Sequence, residues 1–267
     1  VEQINWSSPI MEALNRYGGF GFFLVGLLGL QIYHQRFNKK GRSKKLKIID
    51  DTPDRETAPP NLVHLLHYKK NYANLYEMIS KIEKRIQLDE GQRGIREILL
   101  PEGELFHSAV DIFHAKHVAI LTGFPCLLDY DPPTETDGPL GALAIAKALL
   151  LIGKKVTLLT DECNEEVLLA CAAASNLYEY GLNDENFTLE AFPPVFTEKD
   201  DQRFGELYQS IDCLISIERA GPNHQKNYLT MRKRDMTHII APLEYLGLQT
   251  SPDGSSFILR QDIKTIG

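Results

Sequence analysis

The sequence predicts an α/β fold with a largely parallel sheet flanked by helices, preceded by a single transmembrane helix and a short helical region. Two observations carry the α/β assignment. From about residue 95, apolar runs alternate with helix-patterned segments, which is the rhythm of strand–helix–strand units. The runs around Val118–Thr122, Val156–Thr160 and Cys213–Ile217 are predominantly apolar and uncharged, as strands covered on both faces are. A third observation, an uncharged stretch near the N-terminus, carries the membrane assignment.

In chain order, that stretch comes first. Residues 17–33 contain no charge and one strongly polar side chain, Gln31. As a helix the stretch is about 26 Å long, slightly short of a hydrocarbon core of about 30 Å, and the terminal tyrosines Tyr17 and Tyr33 suit the interface. Gly18, Gly19, Gly26 and Gly29 fall within an arc of about 100°, leaving a smooth face for another helix. The basic run from Arg36 to Lys47 follows directly and predicts that the C-terminal part lies on the matrix, cytoplasmic or stromal side. A cleavable signal peptide has the opposite polarity. The opening at Val1 reads either as an incomplete sequence or as a processed form, which removal of an organellar targeting peptide explains.

Residues 1–47 thus form an N-terminal segment with a membrane helix and a basic collar, and residues 48–94 a linker with amphipathic helices. The stretch 48–61 is charged and broken by proline, as linkers are. Leu62, Leu65, Leu66, Tyr72, Leu75, Met78, Ile79 and Ile82 recur at helical spacing, predicting one or two helices over 62–88. The α/β domain occupies 95–267, with expected helices at 104–114, 139–152 and 164–175 and expected strands at 117–122, 155–160 and 213–217.

Composition narrows the function. The 267 residues carry 29 Lys and Arg against 36 Asp and Glu, a net charge of −7, which gives a general nucleic-acid role no electrostatic support. Cys126, Cys163, Cys171 and Cys213 lack metal-site spacing and read as free thiols of a reducing compartment. His64, His67, His107, His114 and His117 have no acidic partner at defined spacing and read as packing or surface residues. No metal and no cofactor are expected.

The chemistry is concentrated in two places. Thr134, Glu135, Thr136, Asp137 and Gly138 lie between the strand ending near Thr122 and the following helix. That is where α/β proteins place small anions, because free N–H groups and the helix dipole favour negative charge. Glu135 and Asp137 suit proton transfer or ammonium binding, the threonines offer hydroxyls, and Gly138 offers a backbone donor. A plain helix cap by Asp137, with Pro139 in the first turn, explains part of the pattern equally. Glu218 and Arg219 leave the end of the strand at 213–217. Arg219 suits a carboxylate clamp and Glu218 a proton acceptor; an internal ion pair is the alternative. Arg232 and Asp235 admit the same two readings.

Residues Pro132 to Ala142 resemble the Pro-Pro-x-x-Glu-Thr-Asp-Gly-Pro-Leu-Gly-Ala signature of the D-glutamate cyclase-like family. Ile217-Glu218-Arg219-Ala220-Gly221-Pro222 and Met231-Arg232-Lys233-Arg234-Asp235-Met236 resemble a second block of the same family. The resemblance covers about residues 95–267. It implies closure of D-glutamate to 5-oxo-D-proline with loss of water. It also implies Arg219 and Arg232 as clamps for carboxylates, Glu135, Asp137 and Glu218 as proton carriers, and Thr134, Thr136, Gly138 and Asp235 as contacts to substrate. Lys233 stands where the family has glycine, and the sequence stops at Thr265-Ile266-Gly267, where the family continues into a run rich in glycine and acids. These departures, together with the glycine-faced span, the basic collar and the opening at Val1, lead to the expectation of a non-catalytic accessory subunit of a mitochondrial inner-membrane complex, of respiratory or ATP synthase type. Its partners would be neighbouring subunits packed on the glycine face, with D-glutamate a further ligand. An active cyclase, a D-glutamate sensor and a different organellar membrane are the alternatives.

Overall fold

The computed structural model describes residues 73–88, 102–135, 137–175, 186–254 and 256–267. The expected membrane helix, the basic collar, the linker and the first part of the 62–88 stretch lie outside the described residues. Among the described residues, no helix is long and apolar enough to cross a membrane. The chain divides into two units, residues 1–110 and 111–267.

In the first unit, helix α1 (Ala73–Ile86) realises the apolar stripe read from the sequence, and helix α2 (Glu104–His114) begins there. Ile79, Phe106 and Ala109 are buried together, with Leu75, Tyr76 and Leu105 packed around them. Tyr76 meets Phe106 edge to face at 5.1 Å. Glu83 is buried, and its carboxylate accepts the backbone N–H groups of Gly103 at 2.8 Å and Leu105 at 2.9 Å. An acid from α1 thus satisfies donors at the start of α2, where the helix dipole also favours it.

The second unit is built on a five-stranded sheet of order β3-β2-β1-β4-β7, parallel at every pairing. Strand β1 (His117–Gly123) is central and buried at every position. Helix α3 (Asp137–Leu151) leads to β2 (Lys155–Asp161), and α4 (Glu165–Ala174) precedes β3 (Phe187–Phe192). Helix α5 (Glu198–Ser210) then returns the chain to β4 (Cys213–Arg219) on the other side of β1. Strands β5 (Leu248–Thr250) and β6 (Phe257–Leu259) pair with each other as an antiparallel ribbon, and β7 (Lys264–Ile266) closes the main sheet beside β4.

The two sheet faces bury different helices. Helix α3, with Ala142, Ala146 and Leu149 buried, covers the face that carries Val118, Ile120, Val156 and Leu158. Leu207, in the last turn of α5, and Ile211, just after it, pack with Ala119, Leu121, Leu159 and Phe192 on the other face. Helix α5 starts at a capping box: Thr197 Oγ1 accepts the Asp200 N–H at 3.3 Å and Asp200 Oδ2 accepts the Thr197 N–H at 2.9 Å. This reciprocal pair fixes a helix that is polar over most of its length.

The expected strands are present, each extended by one or two residues: 117–123, 155–161 and 213–219. Helices 137–151 and 165–174 shift by one or two residues from the expected ends. Strand β3 and helix α5 were not resolved from the sequence as elements.

Candidate functional site

Strand β1 is the point where the strand order reverses. The chain leaves β1 for β2 on one side, whereas β4 lies on the other. In such sheets the connections depart in opposite directions from the carboxyl ends of the two strands and leave a crevice between them. The end of β1 is Gly123, paired in register with Arg219 at the end of β4, with a register shift at Thr122/Gly123. Both sequence-nominated segments therefore start from one edge of the sheet.

Glu218 and Gly138 meet at this point. Glu218 has φ of 47°, a left-handed conformation that costs an L-residue about 1–2 kcal/mol. Its side chain is exposed, and a Cβ placed on Gly138 would lie 2.6 Å from Glu218 Cβ and 3.0 Å from Thr122 Oγ1. Glycine is thus required at the start of α3 for the two segments to approach. Gly123 is constrained in the same way: with φ of 104°, an added Cβ would meet Asn164 Nδ2 at 2.6 Å and Thr160 Oγ1 at 2.7 Å.

Arg219 points inward instead. Its side chain is 4% exposed and forms a two-pronged pair with Asp161, which is fully buried at the end of β2. One terminal nitrogen also donates to the Ala241 carbonyl at 2.7 Å. Asp161 further accepts the Ala241 N–H at 2.6 Å and Asn164 Nδ2 at 3.0 Å. Asn164 Oδ1 in turn accepts from Thr134 Oγ1 at 2.5 Å. One carboxylate thereby ties together the end of β4, the turn before α4, the loop before α3 and the segment around Ala241. A charge this deep is tolerable only because its lone pairs are met by donors.

Asp161, Asn164 and Ala241 were not singled out from the sequence. The available signal was an acid closing the apolar run Val156–Thr160, at a strand end where function concentrates.

The remaining nominated residues divide as follows. Thr134 is buried within the Asp161 network. Glu135 is half-buried and accepts a hydrogen bond from the Cys126 thiol at 2.6 Å. Thr136 lies outside the described residues. The Asp137 backbone opens α3, and its side chain lies outside the description as well. Arg232 is exposed on a turn that the Leu229↔Asp235 bridge closes. Asp235 accepts the Thr237 N–H at 2.8 Å, and its hydrogen bonds with Thr237 hold its carboxyl below the ordinary range. Beside them Arg234 forms a two-pronged pair with Asp129, at 2.6 and 2.8 Å, which ties that turn to the loop after β1.

Two buried polar atoms at the crevice, Thr122 Oγ1 and Arg219 Nε, have no hydrogen-bond partner among the described residues. Such groups are normally satisfied by water or a ligand. Nearby, Cys163 is an inert thiol: burial, then the charge of Asp161, pushes its pKa up to about 12, far from the thiolate that a nucleophile needs. Tyr228 donates to Glu244 at 2.5 Å, and burial together with that bond raises its pKa. It therefore stays protonated and cannot serve as a base near neutrality.

The Asp161–Arg219 and Asp129–Arg234 forks have the same shape and different surroundings. Asp161→Asn leaves a buried guanidinium uncompensated and lowers the unfolding free energy by about 3–5 kcal/mol. Asp129→Asn, in a pair whose side chains are 72% and 45% exposed, leaves the urea midpoint within error. Equal midpoints for the two variants would refute a structural role for the buried fork.

A family model described as "D-glutamate cyclase-like, C-terminal" matches residues 82–258. A human protein named "D-glutamate cyclase, mitochondrial" is 31% identical over 215 residues, which cover 74% of this chain and 32% of that relative. The chain thus spans about a third of the length of the curated relative it matches. With the family model covering most of the α/β region and both signature segments meeting at one sheet edge, the chain belongs to the D-glutamate cyclase-like family.

Proposed function

We propose that this chain is a membrane-tethered accessory subunit of a mitochondrial inner-membrane complex, of respiratory or ATP synthase type, with its α/β domain on the matrix side. In this reading the D-glutamate cyclase-like domain is a docking module that does not turn substrate over. The observation that carries the loss of catalysis is the state of Arg219. Closing D-glutamate to 5-oxo-D-proline calls for cations that hold carboxylates while the amine attacks the side-chain carboxyl carbon and hydroxide leaves, protonated, as water. Both terminal nitrogens of Arg219 are engaged by Asp161 and Ala241, so its two-pronged face is already taken and only the single Nε donor is left, which cannot make the two-pronged carboxylate clamp. The tether rests on the uncharged stretch 17–33 and its basic collar, the location on the name of the human relative.

One observation favours a second reading, an active cyclase. Glu218 is an exposed acid held in a left-handed conformation at the mouth of the crevice, and strain of this kind clusters at working sites. There Glu218 would take the proton from the substrate ammonium. The start of α3, with its free N–H groups, would receive a carboxylate in place of an arginine.

Full-length protein extracted in mild detergent distinguishes the two. The accessory reading predicts co-migration with a large complex on native gels and no 5-oxo-D-proline from D-glutamate above the uncatalysed background. Turnover that Glu218→Gln abolishes would overturn it in favour of the cyclase. A second expected outcome concerns the backbone. Glu218→Gly removes the left-handed penalty and, after the entropy cost of glycine, raises the unfolding free energy by about 0.5–1 kcal/mol. A drop in stability would mean that contacts of the Glu218 side chain outweigh its backbone strain.

A further inference from the structure

The sheet face under α5 changes character along its length. Toward the carboxyl ends it is apolar, with Leu121, Leu159 and Phe192 packed under Leu207 and the rings of Phe196 and Phe204. Toward the amino ends it is polar. His117, Thr157 and Thr188 line the floor of a cavity of about 150 Å³ between the sheet and α5, at the end of β1 opposite the crevice. His117 is 6% and Thr157 1% exposed. Buried polar groups cost stability that aliphatic side chains at the same positions would not, so packing alone does not account for this floor.

The hydrogen bonds across the floor have a direction. The Ser210 carbonyl only accepts, so the His117 Nδ1 that lies 3.3 Å from it carries the proton. Burial and the charge of Lys155 lower the His117 pKa, which keeps the ring neutral near pH 7. Nε2 is then an acceptor, and the Thr157 hydroxyl donates to it at 2.9 Å. With that proton committed, the 2.9 Å contact between Thr157 and Thr188 requires Thr188 to donate. The chain of donors leaves Thr188 Oγ1 with lone pairs alone to offer the cavity.

The walls carry both signs of charge. Arg203 is pinned by the Ala191 carbonyl at 2.8 Å and by the Phe192 ring at 4.3 Å. Its guanidinium is ion-paired with Glu190 at 3.4 Å and with Asp200 at 3.8 Å, while the buried Nε makes no hydrogen bond among the described residues. Lys155 adds a second cation at the rim. Glu190 is half-buried and Glu206 stands beside it, so burial first and then that second carboxylate raise the Glu190 pKa against the pull of Arg203. The Glu206 carboxylate is held by Gln202 at 3.0 Å. A site with paired cations, paired carboxylates and an acceptor-only hydroxyl in its floor matches a ligand that bears both charges on a small frame.

We propose that the cavity between α5 and the amino ends of β1, β2 and β3 is a second binding site, and that it takes a small zwitterionic amino acid. The ligand ammonium donates to Thr188 and Glu206, and its carboxylate accepts from Arg203 and Lys155. The volume fits a residue of the size of glycine, alanine or serine, and lies below the range of drug-sized pockets. The site is independent of the reading of the crevice.

Titration calorimetry on the full-length protein tests this with glycine and L-serine as probes, and with acetate and methylammonium as half-ligands. The zwitterions are expected to bind at least about tenfold more tightly than either half-ligand. Glu206→Gln, an exposed change that spares the fold, and Thr188→Val, which removes the acceptor, each weaken binding by about tenfold or more. Glu218→Gln at the crevice leaves binding unchanged. Absence of heat up to about 20 mM ligand, equal affinity for a half-ligand, unweakened binding by Glu206→Gln, or loss of binding in Glu218→Gln would each overturn the proposal.

Discussion

The buried fork between Asp161 and Arg219 is the constraint on which the carboxyl edge of the sheet depends. Neither charge is stable alone in that position: an isolated buried carboxylate or guanidinium costs several kcal/mol. Together, and with the backbone of Ala241 and the amide of Asn164, they satisfy one another. The consequence is geometric. Because Asp161 ends β2 and Arg219 ends β4, the fork reaches across β1, which lies between them in the sheet. It holds Arg219 inward, and the next residue back in an extended strand would face the other way. Glu218 does so within β4, exposed and with positive φ, against a helix start that only glycine permits. The inward arginine and the outward acid are two results of one backbone path.

A second layer of the same edge is less costly. The loop after β1 and the turn at 230–235 are joined by an exposed ion pair, Asp129 with Arg234, and by an apolar cluster in which Phe124 and Leu128 pack on Ala220, Tyr228, Met236 and Ile240. The cluster excludes water and holds position, while the exposed pair contributes little energy. Arg232 stands on this turn, exposed, so of the two nominated clamps one is locked in the interior and the other is carried by a surface turn. That separation underlies the preference for a docking role over a catalytic one, and the exposed, strained Glu218 is the feature that argues the other way.

Much of the fold was legible because the central strands are buried on both faces and read as uncharged, predominantly apolar runs. Strand β3 was harder: Phe-Thr-Leu-Glu-Ala-Phe is buried only at its two ends, and its polar interior positions, Thr188 and Glu190, belong to a cavity wall and not to packing. Helix α5 hid for a related reason. Its sequence, Glu-Lys-Asp-Asp-Gln-Arg-Phe-Gly-Glu-Leu-Tyr-Gln-Ser, buries only Asp200 and Leu207, too few apolar positions for a periodic signal. For the site, the clusters at 134–138 and 218–219 were visible as unusual polar groups beside strand ends. Their common anchor was not, because Asp161 differs from an ordinary strand-ending acid only through partners 58 and 80 residues away in the chain.

The claim that one buried fork organises the crevice is tested most directly by a double-mutant cycle between Asp161→Leu and Arg219→Met, read by urea unfolding. Each single change strands a buried charge, whereas the double change leaves two apolar side chains of similar volume. The account predicts a coupling of about 3 kcal/mol or more, with the double variant more stable than either single one. Additive losses, with coupling under about 0.5 kcal/mol, would mean that the two side chains act independently and that something other than their pairing shapes the edge of the sheet.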